Sequence, residues 1–167
     1  MTNARPTAEE PIEGSGPAVP WVLARERLAG SDTYWLSTVR PDGAPHAVPV
    51  LAVWTNETLY VCAGDATRKA KNLARNPRCT VATSTPGMDL VVEGEAARVG
   101  NEAELHRVAE AYAEKYEWTV TVREGAFHAE GAPTAGPPPY YVYAVRPSAV
   151  FGFATDGGLI STRWRFG

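Results

Sequence analysis

The sequence predicts a mainly β chain of α+β character, folded as a small antiparallel barrel with short flanking helices. Three observations carry that expectation. Short runs rich in aromatic and β-branched residues follow one another at close spacing, separated by Pro, Gly, Asp and Asn. Helices are inserted between these many short strands, which gives the chain its α+β character. At 167 residues and 44% apolar composition, the chain is long enough to bury roughly two-thirds of its unfolded surface.

Residues 1–19 are rich in Pro, Gly, Glu and Ala and are expected to form a flexible arm ahead of one domain over 20–167. Pro20 opens a short helix through Leu28, with Trp21, Ala24 and Leu28 on one face and Gly30 as its stop. Three strands then form an antiparallel meander. The first covers 34–39 and ends at Pro41-Asp42-Gly43. The second covers 46–54, where Pro49 signals an edge position or a bulge. The third, 58–63, is reached through Asn56-Glu57. A short helix stopped by Asn76-Pro77 leads into strands at 79–83 and 90–99, joined by Pro86-Gly87.

Residues 102–118 are the clearest helix: Leu105, Val108, Ala109, Tyr112, Ala113 and Tyr116 repeat at three and four residues, while Glu102, Glu104, Glu110 and Glu114 face water. Residues 123–139 lose periodicity, and a loop of that length in a compact domain is functional or disordered. Strands at 140–146 and 149–153 precede a tail ending Thr162-Arg163-Trp164-Arg165-Phe166.

A net charge of −3 argues against a nucleic-acid partner, which would need a broad basic face. No apolar run approaches the length of a membrane-spanning helix. The N-terminus lacks the apolar segment of a secretory signal, so a cytoplasmic location is expected, with Cys62 and Cys79 as reduced buried thiols. There is no GxGxxG, no GxxxxGK[ST], no nucleophile elbow, and no metal-ligand spacing among His46, His106 and His128.

Positive charge is instead local. Arg68, Lys69, Lys71, Arg75 and Arg78 lie in one stretch, and no Asp or Glu occurs from Ala66 to Met88. Asp65 or Thr67 is placed to cap the helix that begins there, and a helix N-terminus beside cations suits a phosphate. The other reading is a solvated basic face. The closing Arg163-Trp164-Arg165-Phe166 also reads two ways: a last strand whose aromatics complete the core, or a segment placing Arg163 or Trp164 against a flat ligand.

The stretch Thr67-Arg68-Lys69-Ala70-Lys71-Asn72-Leu73-Ala74-Arg75-Asn76-Pro77-Arg78, preceded by the meander and followed by a Glu-Gly-Glu-Ala strand, resembles the pyridoxamine 5'-phosphate oxidase-like flavin- and deazaflavin-binding split-barrel proteins. The likeness runs from about Trp21 to Phe166. The closing Thr162-Arg163-Trp164-Arg165-Phe166 and Pro137-Pro138-Pro139-Tyr140 resemble actinobacterial members in particular. The resemblance implies a six-stranded antiparallel split barrel and a homodimer with its cofactor sites at the subunit interface. It implies that Thr67, Arg68 and Lys69, together with Lys71, hold a phosphate; Arg75 and Arg78 are further surface cations available to the poly-glutamate tail of F-420. Val48, Pro49 and Val50 would offer backbone groups along the cofactor ring, and Arg163 and Trp164 would approach that ring. No histidine follows His128, whereas the true vitamin B6 oxidases carry an Arg-and-His signature near the C-terminus, so oxidation of vitamin B6 is not expected.

The function so implied is an oxidoreductase that transfers a hydride from the reduced deazaflavin coenzyme F-420 to an unsaturated small molecule, with FMN as the alternative cofactor. A non-catalytic carrier of a cofactor, haem or lipid is the other class. No metal is expected. No catalytic acid is assigned; His46, Tyr141 and Tyr143 are the candidates.

Overall fold

The computed structural model describes residues 5–14, 16–132 and 136–167. The chain begins with strand β1 (Ala8–Pro11) and helix α1 (Trp21–Gly30), which buries Trp21, Ala24 and Leu28. The meander follows as β2 (Tyr34–Val39), β3 (Pro45–Val50), β4 (Ala52–Thr55) and β5 (Thr58–Ala63). Helix α2 (Arg68–Arg75) links it to β6 (Arg78–Thr85) and β7 (Met88–Arg98). Helix α3 (Glu102–Tyr116) and a hairpin of β8 (Thr121–Arg123) and β9 (Ala126–His128) come next, then β10 (Tyr141–Ala154) and β11 (Thr162–Arg165).

The larger sheet is antiparallel throughout and runs β1-β11-β10-β7-β6-β2-β3, with β5 also paired to β10 and β4 to β5. Its six strands of six residues or more, β2, β3, β5, β6, β7 and β10, are the expected barrel strands. The ladder does not close. β3 pairs with β2 and β4 with β5, and among the described residues no ladder joins β3 to β4, which follow one another through Leu51. This is the split. The strand expected over 46–54 is therefore two strands. Pro49 sits on β3, which among the described residues pairs with β2 alone and so forms an edge of the sheet, where proline is tolerated.

The segments expected at 140–146 and 149–153 are one strand, β10, bent by a bulge at Ser148 between the pairs Pro147↔Gly94 and Ala149↔Glu93. Gly94 permits the bend: a Cβ there would lie 2.1 Å from the Arg146 carbonyl oxygen.

Two stretches differ from their sequence reading, and in a third the structure chooses between two readings. Residues 8–11, placed in a flexible arm by composition, form β1 because β11 offers a free edge; Thr7 N and Ile12 N extend the pairing by donating to Arg165 O (2.7 Å) and Ser161 O (2.8 Å). Residues 123–139 are not structureless. Glu124 and Gly125 both have positive φ, 53° and 73°, as a two-residue hairpin turn requires. Phe127 exchanges two backbone bonds with Tyr140 (2.8 and 2.9 Å). Residues 133–135 lie outside the described residues. The third stretch is the closing segment: Trp164 is fully buried, touches Trp21, and donates its indole N–H to Val19 O (2.9 Å). Of the two readings of the tail, the core-completing strand is the one observed.

The core has two parts. Inside the barrel, Tyr34, Leu36, Val61, Val81, Leu90 and Trp164 pack with α1 and α2. Outside it, Leu105, Val108 and Tyr112 of α3 cover Val53, Tyr60 and Val142.

Lys115 at the end of α3 ties the split together. Its Nζ donates to Tyr34 Oη (2.7 Å), Ala29 O (3.0 Å) and Ala52 O (3.1 Å), joining α1, β2 and the first residue of β4. Tyr112 donates to Leu51 O (3.0 Å), and Tyr116 donates to Ala52 O (2.9 Å).

Two predictions follow from this architecture. Gly94→Ala forces β7 away from the β10 bulge and should cost about 2 kcal/mol or more; an unchanged urea midpoint would show that the two strands are not held at that spacing. Burial lowers the Lys115 pKa to about 8. The unfolded chain therefore still holds this proton between pH 8 and about 10, where the native protein has released it, so the contribution of this one group to stability rises with pH in that window. Urea unfolding at pH 7.5 and pH 9.5 should show wild type gaining on Lys115→Met, and a constant gap would show that this lysine does not titrate there.

Candidate functional site

Helix α2 begins where β5 ends. Thr67 is its N-cap: Ala70 N donates to Thr67 Oγ1 (3.4 Å), and that hydroxyl donates to Gly64 O (2.7 Å). Asp65, the other candidate cap, instead faces Arg98 at 3.6 Å. The remaining first-turn amides point out of the helix with the positive end of its dipole. No acidic residue lies in that turn. Arg68 is exposed, Lys69 is half-buried, and among the described residues neither forms an ion pair. Burial holds the Lys69 ammonium below the ordinary lysine range, with the Cys62 sulfur acting weakly the other way. A half-buried cation with no counter-ion, at a helix N-terminus, fits the phosphate of a cofactor on charge and on donor chemistry.

The floor of this region is polar and buried. Asn72 is fully buried and donates from Nδ2 to Thr38 Oγ1 on β2 (2.9 Å). Thr38 pairs with His46 on β3. Burial first, then Arg40, Arg68 and Lys69, hold His46 below its ordinary pKa. Val48, Pro49 and Val50 continue along the same strand. The Val50 side chain is buried, Val48 is half-buried against the core, and Pro49 is exposed. What β3 offers a ligand is its unpaired backbone edge.

The other sequence candidates lie elsewhere. Lys71 lines a separate cleft of about 420 Å³ with Asp65, Arg98 and Tyr143, on another face of α2. Arg98 also lies over the Tyr141 ring, 3.1 Å from its centroid. Arg75 and Arg78 are exposed beyond the first turn, and Arg78 opens β6. Trp164 is a core residue with its N–H satisfied and has no face for a ligand. Arg163 pairs with Glu10 at 2.5 Å and stands opposite Phe151 on β10. The end of β5 stands opposite Tyr141 on that same strand. At about 3.3 Å per residue, these points are roughly 30 Å apart. Arg163 thus lies about ten residues along β10 from the strand end that leads into α2.

One further surface bears on the site. Trp35, Ala82, Val91 and Phe151 pair in register across β2, β6, β7 and β10, and Pro49 extends the row onto β3. Trp35 is 51% exposed and Phe153 44%. Beside this apolar row, Arg78 and Arg146 alternate with Glu93 and Glu95 around a cleft of about 650 Å³. Sequence reading missed both this row and the Thr38–Asn72–His46 cluster. Each is made by strand register, which no local pattern encodes. Among the described residues no helix is long and apolar enough to cross a membrane.

The sequence model for pyridoxamine 5'-phosphate oxidase matches residues 23–154. No curated protein matches the chain. Among solved structures, a conserved hypothetical protein, Rv2991, from Mycobacterium tuberculosis is similar at 18% identity and a TM-score of 0.63, over 82% of this chain and 86% of that one. A heme binding protein from Mycobacterium smegmatis is similar at 20% identity and a TM-score of 0.61, over 83% of this chain and 55% of that one. A FAD-binding protein from Mesorhizobium loti is similar at 17% identity and a TM-score of 0.58, over 87% and 95%. These likenesses show a shared fold.

Proposed function

The chain belongs to the pyridoxamine 5'-phosphate oxidase family, and from that premise we propose that it is an oxidoreductase holding a flavin-type cofactor at the N-terminus of α2. The observation that carries the reading is Lys69, half-buried and without a carboxylate partner, in the first turn of a helix capped by Thr67. Thr67, Arg68 and Lys69 hold the phosphate, and the open edge of β3 from Val48 to Val50 aligns the ring by backbone hydrogen bonds. The FAD-binding neighbour supports a flavin.

The finer proposal is the deazaflavin F-420, with FMN as its rival. Bound there, the cofactor supplies hydride chemistry to an unsaturated small molecule. The chain contributes anchoring, orientation and a wall that excludes water.

A second copy of this chain completes the site. The apolar row from Pro49 through Trp35 to Phe151, exposed at Pro49 and Trp35, is continuous with the strand assigned to the cofactor, and the two arginines and two glutamates beside it, Arg78, Arg146, Glu93 and Glu95, offer a second copy both signs of charge. Such a dimer gives Arg163 of the second copy a route to the cofactor.

Titration of the purified protein with F-420 and with FMN, followed by fluorescence quenching, tests the assignment. One of them should bind below about 100 μM, roughly −5.5 kcal/mol, and its reduced form should be reoxidised by a quinone, enone or tetrapyrrole. Failure of both to bind overturns the cofactor reading; tight binding without turnover makes the protein a carrier. Lys69→Ala should weaken binding by about 1.5–3 kcal/mol, while Lys71→Ala leaves it nearly unchanged. By light scattering the protein should have twice its 18.0 kDa chain mass, and Trp35→Glu should be monomeric. A monomeric wild type would leave the apolar row without its second copy.

A further inference from the structure

The cleft beside Lys71 has no part in the function proposed above. It is built by strand register. Tyr143 on β10 stands directly opposite Arg98 on β7, and Val145 opposite Ala96. Ala96, Arg98, Tyr143 and, two residues earlier, Tyr141 therefore share one face of the sheet. Helix α2 covers that face, since Ala70 and Leu73 pack in the same core cluster as Ala96 and Tyr143. The small side chains of Ala70, Ala74 and Ala96 leave a cleft of about 420 Å³ between helix and sheet, within the size range of small-molecule sites.

The polar groups of this cleft are held in place and left unused. Tyr143 is 6% exposed and lines the cleft, yet among the described residues its hydroxyl makes no hydrogen bond. Buried hydroxyls ordinarily have a partner. Burial raises its pKa against the opposing pull of Arg98, so the group is a neutral O–H with a proton to donate. Arg98 is fixed from two sides: its guanidinium lies 3.1 Å from the centroid of the Tyr141 ring, and its Nη1 stands 3.6 Å from Asp65 Oδ1. A planar group with five N–H donors, so held, keeps donors for a further acceptor. Lys71 is exposed and, among the described residues, forms no ion pair. Asp65 is the one acid among the described residues that line the cleft. Two cations against one carboxylate leave a single positive charge uncompensated.

We propose that this cleft is a small-molecule site separate from the α2 N-terminus, and that it takes a monocarboxylate with a small apolar body. The carboxylate accepts from Arg98, Lys71 and the Tyr143 hydroxyl, and the apolar part rests on Leu73 and the three alanines. One negative charge matches the one positive charge left over, and a flat guanidinium suits the two oxygens of a carboxylate. A phosphate dianion brings more charge than the cleft balances. The inference needs no cofactor at the α2 N-terminus, because helical rotation sends Lys71 to a different face from Lys69.

Benzoate is the probe, with benzamide as its uncharged counterpart, and NMR titration of the whole chain reads the binding. Benzoate should bind with a Kd below about 1 mM and shift the amide signals of residues 96–98 and 141–143. Benzamide should bind about tenfold more weakly, and Arg98→Gln should weaken benzoate by a similar factor. Tyr143→Phe should weaken it about fivefold while leaving the urea midpoint unchanged, since the lost hydroxyl has no partner in the fold. Lys71→Gln, at an exposed position, gives a second charge deletion if Arg98→Gln does not fold. Lys69→Ala should leave benzoate affinity as it is. Absence of a saturable benzoate shift, or equal binding of benzamide, overturns the proposal. So does benzoate binding that survives Arg98→Gln and Lys71→Gln but is lost in Lys69→Ala, for it then belongs to the α2 N-terminus. Benzoate bound as expected by a protein that takes neither F-420 nor FMN upholds this site while the cofactor reading fails.

Discussion

Strand β10 sets the geometry on which the rest depends. Along one edge it pairs with β7 over almost its whole length, and along the other it serves β5 first and β11 afterwards. One strand with two successive neighbours on the same side forces those neighbours to opposite ends. Helix α2 leaves from β5, so the cations of its first turn stand at one end, and Arg163 on β11 stands near the other. The bulge at Ser148 and the missing side chain at Gly94 are the local conditions that let β10 bend enough to serve both.

Two half-buried lysines show how the same residue type acquires different work. Lys115 donates to three oxygens drawn from three elements, and its burial is compensated by structure. Lys69 has no carboxylate and no hydrogen-bond acceptor among the described residues, and sits where a helix presents its positive end. A cation satisfied within the fold holds the fold together. A cation left without a protein partner at a helix N-terminus remains available to an anion.

Much of this was legible from local pattern. Period-two burial in β2 and β6, the three-and-four spacing of α3, the Thr67 cap and the edge position announced by Pro49 all depend on neighbours a few residues away. What was not legible depends on partners far along the chain. β1 exists because β11, more than 150 residues later, presents it an edge. The hairpin turn at Glu124-Gly125 lacks the usual Asn-Gly or Asp-Gly signal. Trp164 and Arg163 alternate as any strand would, and only the register on β10 decides which enters the core. Lys71 follows Lys69 by two residues, and helical rotation alone sends it to another cleft. The apolar row from Pro49 to Phe151 is assembled from single residues on five strands, each unremarkable in its own segment.

The pairing of β1 with β11 places Ala8 beside Arg165. The beginning and the end of the described chain are thus neighbours on one sheet edge. A short peptide joining them would close the backbone into a ring, and that ring could be reopened at a distant surface turn such as Asp42-Gly43 with every strand neighbour preserved. The order in which the strands are synthesised is therefore separable from the order in which they pair.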